Sequence, residues 1–393
     1  MRIAFLCPSG LDDPGPQRRF LPIARELVRR GHDVSLLMLH STFAAVQQHR
    51  FVRDGVKLQY VAQMHVHGLP GKRRYYSPAG LLAGSLRAAA ALAYAARRLR
   101  PDALHIAKAQ PINGMAALLA RPAAGALYLD ADDYEAAANR FGGGWQRQLV
   151  AWWEDRLPRM VRAVSVNTSF LQRRCLALGV APERIVEIPN GFDDRQAQLP
   201  PIRRRQALRA ALGLTRPTIV YLGTMSTVAH GVGILLDAFA QLHRRRPDLQ
   251  LLMVGDGDEL PALRARAVAH GIAPAVRWVG RVAAEAAATY LALGDCSVDP
   301  VEDTPAAQAR SPLKIVESLA LGLPVVTGDV GDRAVMLGGG AAGVLCAAGD
   351  AAALAAGLEQ AIDRSALLRA GALAQAEYYR WERIIDRWQT LYS

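Results

Sequence analysis

The chain has 393 residues, of which 51% are hydrophobic and 21% charged, so it is long enough to bury the cores of about two domains. The formal net charge is +12, but no helix-turn-helix, zinc-finger or aromatic RNA-binding pattern accompanies it, which argues against a nucleic-acid partner. The four cysteines are far apart and fit neither a metal site nor a disulfide framework, which indicates a reducing compartment.

In chain order, short apolar runs alternate with helical patterns. The predicted strands are 3–7, 34–39, 56–61, 103–106, 126–129, 163–166 and 185–188 in the first half, and 218–222, 250–254, 276–279, 296–298, 324–327 and 343–345 in the second. Continuous apolar strands with helical crossovers are typical of parallel sheets covered on both faces. Two prolines and an arginine run interrupt the alternation at 198–217. The sequence therefore predicts two Rossmann-like, doubly wound α/β domains facing a cleft.

The start of the chain and its longest apolar run bear on the cellular location. The opening MRIAFLCPSG has too short an apolar run for a secretion signal, so we expect a cytoplasmic protein. The run at 79–96 is Ala-rich and contains Arg87, which predicts a buried or half-buried helix rather than a membrane span. The first half contains basic residues that either contact the inner face of an anionic membrane peripherally or, for most of them, are scattered solvated charges: Arg18, Arg19, Lys72, Arg73 and Arg74.

The stretch SPLKIVESLALGLPVV, residues 311–326, predicts a short helix that leads into a buried strand. Ser311 is a good N-cap and Pro312 suits the first helical position. Gly322 ends the helix and Pro324 prevents its continuation. The helix should therefore begin at Ser311 and end at Gly322.

Two cations stand at the wrong end of this helix. Arg310 and Lys314 flank its N-terminus, where the dipole is already positive, at a cost of roughly 0.3–1 kcal/mol. They are either solvated surface charges or part of a site for an anion such as phosphate. Glu317 lies one turn beyond Lys314, where a carboxylate would repel phosphate but accept hydrogen bonds from sugar hydroxyls. A phosphate site beside a carboxylate that binds sugar hydroxyls would be a nucleotide site. This second interpretation predicts that Lys314→Glu leaves the unliganded protein at least as stable, because a glutamate completes a capping box, while donor binding is lost.

Further polar loops follow the predicted strands, where ligands of parallel sheets bind. They are PSGLDDPGPQRR (8–19), DADDYE (130–135), GTMSTVAHG (223–231), GDGDE (255–259) and the segment 299–314. Any one of them also suits a plain turn, but several at strand ends favour a nucleotide site.

The second half of the chain resembles the donor domain of the family 4 (group 1) glycosyltransferases. The matching segments are IPNGFD (188–193), YLG (221–223), LLMVGDGDE (251–259), VRWVGRV (276–282), GDCSVDP (294–300) and 311–331. The first half is similar more loosely, through IARELVRRGHDV (23–34), RPDALHIA (100–107) and 163–185. The resemblance implies the GT-B fold, with an acceptor-binding domain at 1–198, a donor domain at 199–375 and a last helix at 376–393 that packs back on the first domain.

The resemblance also implies roles for individual residues. The helix N-terminus would receive the donor diphosphate, and Glu317 would bind the ribose hydroxyls. The implied nucleotide-binding residues are Gly223, Thr224, His230, Gly255, Val279, Arg281, Ser311, Leu313, Lys314 and Glu317, and the acceptor-side residues are Gly10, Arg18 and Lys108. Candidate catalytic residues are Lys314 and Arg310, which stabilise the leaving diphosphate, and Asp132 and Asp133, which orient a hydroxyl or simply cap the next helix.

Three departures from the family pattern are visible. Ala309 stands where a glutamate usually contacts the transferred sugar. Thr224 and His230 stand where an arginine and a lysine usually grip the diphosphate, so that Arg310 and Lys314 would supply the missing cations. His230 alone could equally be a loop histidine with structural partners. The acids at 130–133 replace a histidine of the first domain.

The implied activity is transfer of a sugar from a nucleotide-diphosphate sugar, with retention, to a carbohydrate, lipid-linked or small-molecule acceptor. No metal or other cofactor is expected, since basic side chains neutralise the diphosphate. A nucleotide-sugar 2-epimerase and an inactive nucleotide-sugar-binding homologue remain as alternatives.

Overall fold

A computed structural model describes residues 1–13, 15–68, 74–139, 141–195 and 198–392. The strands are β1 (Arg2–Cys7), β2 (Asp33–His40), β3 (Arg50–Arg53), β4 (Val56–Gln63), β5 (Val66–His67), β6 (Arg74–Tyr75), β7 (Ala103–Ala107), β8 (Ala126–Ala131), β9 (Ala163–Val166), β10 (Ile185–Glu187), β11 (Thr218–Leu222), β12 (Gln250–Val254), β13 (Val276–Gly280), β14 (Cys296–Asp299), β15 (Val325–Gly328) and β16 (Gly343–Cys346). Every strand predicted from the apolar runs is present.

The α-helices occupy most of the segments between strands. They are α1 (Leu21–Arg29), α2 (Pro78–Leu99), α3 (Pro111–Ala120), α4 (Glu135–Ala138), α5 (Gly144–Met160), α6 (Ser169–Ala177), α7 (Ile202–Ala211), α8 (Thr227–His230), α9 (Val232–Arg245), α10 (Leu260–Ala269), α11 (Ala287–Leu291), α12 (Pro305–Gln308), α13 (Leu313–Ala320), α14 (Arg333–Met336), α15 (Ala351–Asp363), α16 (Ser365–Ala376) and α17 (Trp381–Gln389). A π-helical turn, Gly15–Phe20, precedes α1.

The chain forms two compact units, each with its own parallel sheet. Unit 1 comprises Met1–Pro189 and Trp381–Ser393, and unit 2 comprises Asn190–Arg380. The unit 1 sheet has the order β10-β9-β8-β7-β1-β2-β4-β3, with β3 antiparallel at the edge, and the unit 2 sheet has the order β13-β12-β11-β14-β15-β16. Both orders reverse direction beside the first strand of the unit, as a doubly wound fold requires.

The core of unit 1 includes the last helix of the chain. Trp381, Ile384, Ile385 and Trp388 of α17 pack into the same apolar cluster as Phe5 of β1. These side chains recur at three- and four-residue spacing, so α17 buries a single apolar stripe. The unit boundary lies at 189/190, not at the predicted 198/199. Residues 190–194 belong to unit 2 because a β-bridge joins Phe192 to Arg380.

Within the described residues, α2 is the one helix long and apolar enough to cross a membrane by length and composition. It packs on β4, β2 and α3, yet only 33% of its apolar stretch is buried inside the protein. The expected half-buried helix is therefore present, and its buried residues alternate with half-buried and exposed ones.

Candidate functional site

Two glycine loops meet at the carboxyl ends of the unit 2 strands. Gly223 follows β11 and donates its N–H to the carbonyl of Val254, 3.0 Å away. Gly255 follows β12, and a Cβ on it would lie 1.8 Å from the carbonyl oxygen of Gly223. Only glycine permits this approach, so the two loops leave backbone rather than side chains at this end of the sheet.

Lys314 reaches this end of the sheet from the first turn of α13. Its ammonium lies 3.2 Å from Oδ1 of Asp299, the last residue of β14, and 4.5 Å from the centroid of the Tyr221 ring. A Cβ on Gly223 would come within 3.2 Å of the same nitrogen. Burial lowers the pKa of Lys314, and Asp299 opposes that effect by attracting the charged form.

Asp299 is shared between two cations. Its Oδ2 accepts a hydrogen bond of 2.9 Å from Nε of Arg333, a side chain that is almost fully buried. Arg333 also donates to the carbonyl of Ala307, which ties α12 to the end of β14. Although burial acts to raise the pKa of Asp299, Arg333 and Lys314 hold that pKa well below its usual range. Sequence reasoning predicted Lys314 but missed Asp299 and Arg333; the place of Asp299 at a strand end was the one available signal.

His230 and Arg310 lie close enough to Lys314 for their charges to interact. Burial, reinforced by the charges of Lys314 and Arg310, lowers the pKa of His230 to about 3. His230 is therefore neutral at physiological pH and can donate or accept one hydrogen bond at each ring nitrogen. Gly223, His230, Arg310 and Lys314, all predicted for one site, are thus brought together.

The N-terminus of α13 differs from the prediction in one respect. The helix begins at Leu313, Pro312 occupies the capping position in an extended conformation, and no side chain caps the helix. Ser311 is not the N-cap, because its hydroxyl accepts a hydrogen bond from the backbone N–H of Asn190 and its carbonyl accepts another from the Asn190 side chain. The predicted end at Gly322 is confirmed by its left-handed φ of 67°.

The remaining predicted donor residues have varied surroundings. Glu317 is buried at 8% exposure, one turn from Lys314 on α13. Thr224 is exposed, and its carbonyl accepts a hydrogen bond from the Tyr221 hydroxyl. Val279 packs against an apolar cluster that includes Leu252 and Val254 of β12. Arg281, just after β13, is exposed.

Ala309, where the family pattern has a glutamate, is completely buried at the end of α12. Its methyl group packs in the protein interior, so this side chain offers no polar group to a ligand.

Unit 1 contains a separate group of charges after β8. The ammonium of Lys108 lies 3.4 Å from Asp132, 2.8 Å from Asp133 and 2.7 Å from Glu135. Burial acts to lower the pKa of Lys108, but the three carboxylates more than offset it and raise that pKa well above its usual value. Burial raises the pKa of Asp132, against the attraction of Lys108.

Glu135 and Glu154 fix this group in place, and neither was among the site residues predicted from the sequence. Glu135 also accepts hydrogen bonds from Gln110 and Asn139. Glu154 of α5 accepts the backbone N–H groups of Glu135 and Ala136 at 2.6 and 3.0 Å. The carboxylates of Asp132, Asp133 and Glu135 lie close enough together to ligate a metal ion. The Lys108 ammonium, however, already supplies a positive charge among them.

The basic residues expected at a membrane differ in how far they are buried. Arg19 is fully buried and forms a bidentate ion pair with Asp130, 2.7 Å at each contact. The expectation that Arg19 contacts a membrane is therefore wrong. Arg74 is exposed, whereas Lys72 and Arg73 lie outside the described residues. Gly10 has a packing role, because a Cβ there would meet the Tyr60 ring at 2.8 Å, and Arg18 is half-buried in the π-helical turn.

Comparison with known proteins identifies both units. The family model of the glycosyl transferase 4-like domain matches residues 14–191, and the model of glycosyl transferases group 1 matches residues 216–364. The chain belongs to the group 1 glycosyltransferases. The resemblance read from the sequence motifs is thereby confirmed.

Several curated relatives are mycobacterial mannosyltransferases. The phosphatidyl-myo-inositol mannosyltransferase of Mycobacterium leprae is 29% identical over 255 residues, 63% of this chain and 62% of the relative. The GDP-mannose-dependent alpha-(1-6)-phosphatidylinositol monomannoside mannosyltransferase of Mycolicibacterium smegmatis is 33% identical over 48% of this chain and 50% of its own. The aligned part of this chain therefore spans between half and about three fifths of the length of these two relatives. The phosphatidyl-myo-inositol mannosyltransferase of Mycobacterium tuberculosis is 26% identical over 100% of this chain and 97% of its own.

Solved glycosyltransferase structures share the fold. Sucrose-phosphate synthase from Thermosynechococcus elongatus superposes with a TM-score of 0.79 at 18% identity, over 100% of this chain and 98% of that one. HepE from Anabaena, solved with UDP, gives a TM-score of 0.71 at 20% identity, over 99% and 98%. The prediction of two Rossmann-like domains of the GT-B type is confirmed.

Proposed function

We propose that the protein transfers a hexosyl group from a nucleotide-diphosphate sugar to an acceptor hydroxyl, with retention and without a metal ion. The observation that carries this proposal is the convergence of Lys314, Arg310 and His230 near the uncapped N-terminus of α13. Free N–H groups at a helix N-terminus and buried cations together suit a diphosphate. Glu317, one turn further, suits the ribose hydroxyls.

The chemistry asks mainly for stabilisation of a leaving anion. The bond between the sugar C1 and the phosphate oxygen breaks, a bond from C1 to the acceptor oxygen forms, and the acceptor proton passes to the departing phosphate. Negative charge grows on the diphosphate as it leaves, so fixed cations and N–H groups lower the barrier. Lys314, kept in place by Asp299, and Arg310 have this role in our proposal, and neutral His230 donates a hydrogen bond to the diphosphate.

The charged group of unit 1 serves the sugar or acceptor hydroxyls in this proposal. Asp132 and Asp133 present carboxylate oxygens that can orient a hydroxyl, while Lys108 and Glu135 hold them in position. Because the Lys108 ammonium already neutralises these carboxylates, we propose that no metal ion is required. The names of the mannosyltransferase relatives favour a lipid-linked acceptor over a free glycan or small molecule, and a cytoplasmic location is consistent with nucleotide-sugar supply.

Incubation with a panel of nucleotide sugars and acceptors, read by mass spectrometry, tests the reaction. Transfer, or slow donor hydrolysis when no acceptor is present, supports the proposal. Epimerised donor would instead identify a 2-epimerase, and nucleotide binding without turnover would identify an inactive homologue.

Calorimetry on one variant pair tests the assigned site. Glu317→Ala should weaken binding of the preferred nucleoside diphosphate by about 1–3 kcal/mol, the usual value for a lost hydrogen bond to a charged group. The matched control is Glu302→Ala, which removes an exposed carboxylate from the same unit. Equal affinities for the two variants would contradict the ribose assignment.

A further inference from the structure

Helices α2, α3 and α5 form one helical layer of unit 1. Helices α2 and α3 pack on the sheet and on each other, and α5 packs on α3. The contact between α3 and α5 is close: a Cβ on Gly114 would meet the Trp153 ring at 2.5 Å and Leu157 at 3.1 Å. The side of α5 that holds Trp153 and Leu157 is therefore committed to the protein interior.

A neighbouring side of α5 carries large apolar groups that the protein leaves exposed. Trp145 is 56% exposed, Leu149 43% and Trp152 48%. Their four- and three-residue spacing aligns them in one stripe, and Arg156 continues it with its guanidinium 5.1 Å from the Trp152 ring centroid. Aromatic rings beside an arginine are typical of surfaces that sit at a lipid–water boundary.

Helix α2 repeats this pattern. Leu82, Leu86 and Tyr94 are exposed at 63%, 51% and 64%, again at helical spacing. The stripe leads into an open groove of about 850 Å³ between α2 and α3, whose lining includes Tyr94, Arg97, Arg98, Arg100 and Leu119. The apolar stripe thus ends at three exposed guanidinium groups.

Charge distinguishes this layer from an ordinary surface. Asp102 is the one acidic residue in the sequence between Asp54 and Asp130, and it contacts Arg2. On α5, Glu154 is buried and Asp155 pairs with Arg174. The exposed side of the layer is therefore apolar and cationic, which matches a surface that presents hydrocarbon together with negative charge.

We propose that the α2–α3–α5 layer docks on an anionic lipid bilayer, with Trp145, Leu149, Trp152, Leu82 and Leu86 entering the interface and Arg97, Arg98 and Arg100 binding lipid phosphates. This surface takes the place of Arg18 and Arg19 as the proposed membrane contact, since Arg19 is buried in an ion pair with Asp130. Docking on the bilayer is independent of the proposed transfer reaction, because vesicle binding needs neither donor nor acceptor.

Vesicle flotation tests the docking directly. The full chain should float with vesicles of phosphatidylcholine and phosphatidylglycerol in equal parts, and much less with phosphatidylcholine alone. High salt should reduce binding, because it screens the arginine–phosphate attraction. Brominated acyl chains should quench part of the tryptophan fluorescence of the unaltered protein, a measurement that needs no variant.

Two pairs of variants locate the surface. Trp145→Ser with Leu149→Ser and Trp152→Ser should weaken binding to the anionic vesicles at least tenfold, whereas Val335→Ser with Leu367→Ser, which alters exposed apolar residues of unit 2, should not. Arg97→Glu with Arg98→Glu should likewise weaken binding far more than Arg203→Glu with Arg204→Glu, which changes the net charge equally on α7.

Three results would overturn the proposal. They are absence of binding to anionic vesicles, equal losses in the test and control variants, and concentration-dependent self-association that the α5 substitutions abolish. The last result would assign the layer to a second copy of the chain.

Discussion

The ammonium of Lys314 lies 3.2 Å from the carboxylate of Asp299, although 15 positions separate them in the sequence. Both side chains are largely removed from solvent, at 14% and 6% exposure. Lys314 is therefore part of an ion pair as well as of the proposed diphosphate site. This pair changes what a charge reversal at position 314 does to the unliganded protein.

We predict that Lys314→Glu lowers the free energy of unfolding by about 3 kcal/mol, because it sets a second carboxylate against buried Asp299. This is the opposite of the sign expected from the helix alone, where a glutamate in the first turn would complete a capping box. Lys57→Glu is the matched control: it reverses a lysine paired with Asp33 at the surface and should cost at most about 1 kcal/mol. Denaturant titration of both variants measures the difference. Equal stability of the Lys314→Glu protein and the unaltered one would show that the pair is not formed.

The pH dependence of stability should include a contribution from His105. This side chain is fully buried between Phe5 and Tyr128, and its Nε2 is 2.9 Å from the Tyr392 hydroxyl. Burial lowers its pKa from 6.5 to about 3. Below about pH 6.5 the unfolded chain therefore binds a proton that the folded chain does not, so stability is complete above that pH and falls by roughly 1.4 kcal/mol per pH unit toward pH 3.

The variant His105→Phe keeps an aromatic ring in the stack and removes the imidazole that can bind a proton. Between about pH 6 and pH 4, its unfolding free energy should depend less steeply on pH than that of the unaltered protein. The difference in slope should correspond to the uptake of one proton fewer on unfolding. The exposed His67 provides the control, because His67→Asn should leave the slope unchanged. Parallel profiles for the His105→Phe and unaltered proteins would mean that the imidazole is protonated in the folded state.

Helix α17 should be essential to the stability of unit 1. Trp388 is fully buried against Phe5 and His105, and its indole N–H donates to the Tyr392 hydroxyl at 2.9 Å. Trp388→Ala should cost about 3–5 kcal/mol, the range for deleting a buried aromatic side chain. Trp145→Ala, on the exposed side of α5, should cost less than about 0.5 kcal/mol. Similar melting temperatures for the two variants would contradict the packing of α17.

Removal of Lys108 should create a metal site among the carboxylates with which it pairs. In Lys108→Ala the carboxylates of Asp132, Asp133 and Glu135 lose their shared cation, so a divalent ion should bind there and raise the melting temperature. The unaltered protein should show neither effect, and EDTA should leave its transferase activity unchanged. Thermal melts with Mg²⁺, Mn²⁺ and EDTA make the comparison. Loss of activity of the unaltered protein in EDTA would refute metal independence.

Local sequence patterns were enough to predict the elements and several residues of the candidate donor site. Apolar runs and helical periodicity set the order of strands and helices, because burial on a sheet or a helix face imposes those periods locally. The end of α13 at Gly322 and the place of Lys314 in its first turn follow from residues within one helix length. The wrong N-cap shows the limit of this reasoning, since the Ser311 hydroxyl is engaged by Asn190, 121 positions away.

Which charged side chains form buried ion pairs and which face the solvent follows only from the tertiary structure. Arg18 and Arg19 are neighbours in the sequence, yet only packing selects Arg19 for Asp130, 111 positions away. Likewise, Glu154 reaches the backbone of Glu135 because α5 packs beside α4. No local pattern records such pairs, because an ion pair forms where the folded backbone brings two charges together out of water.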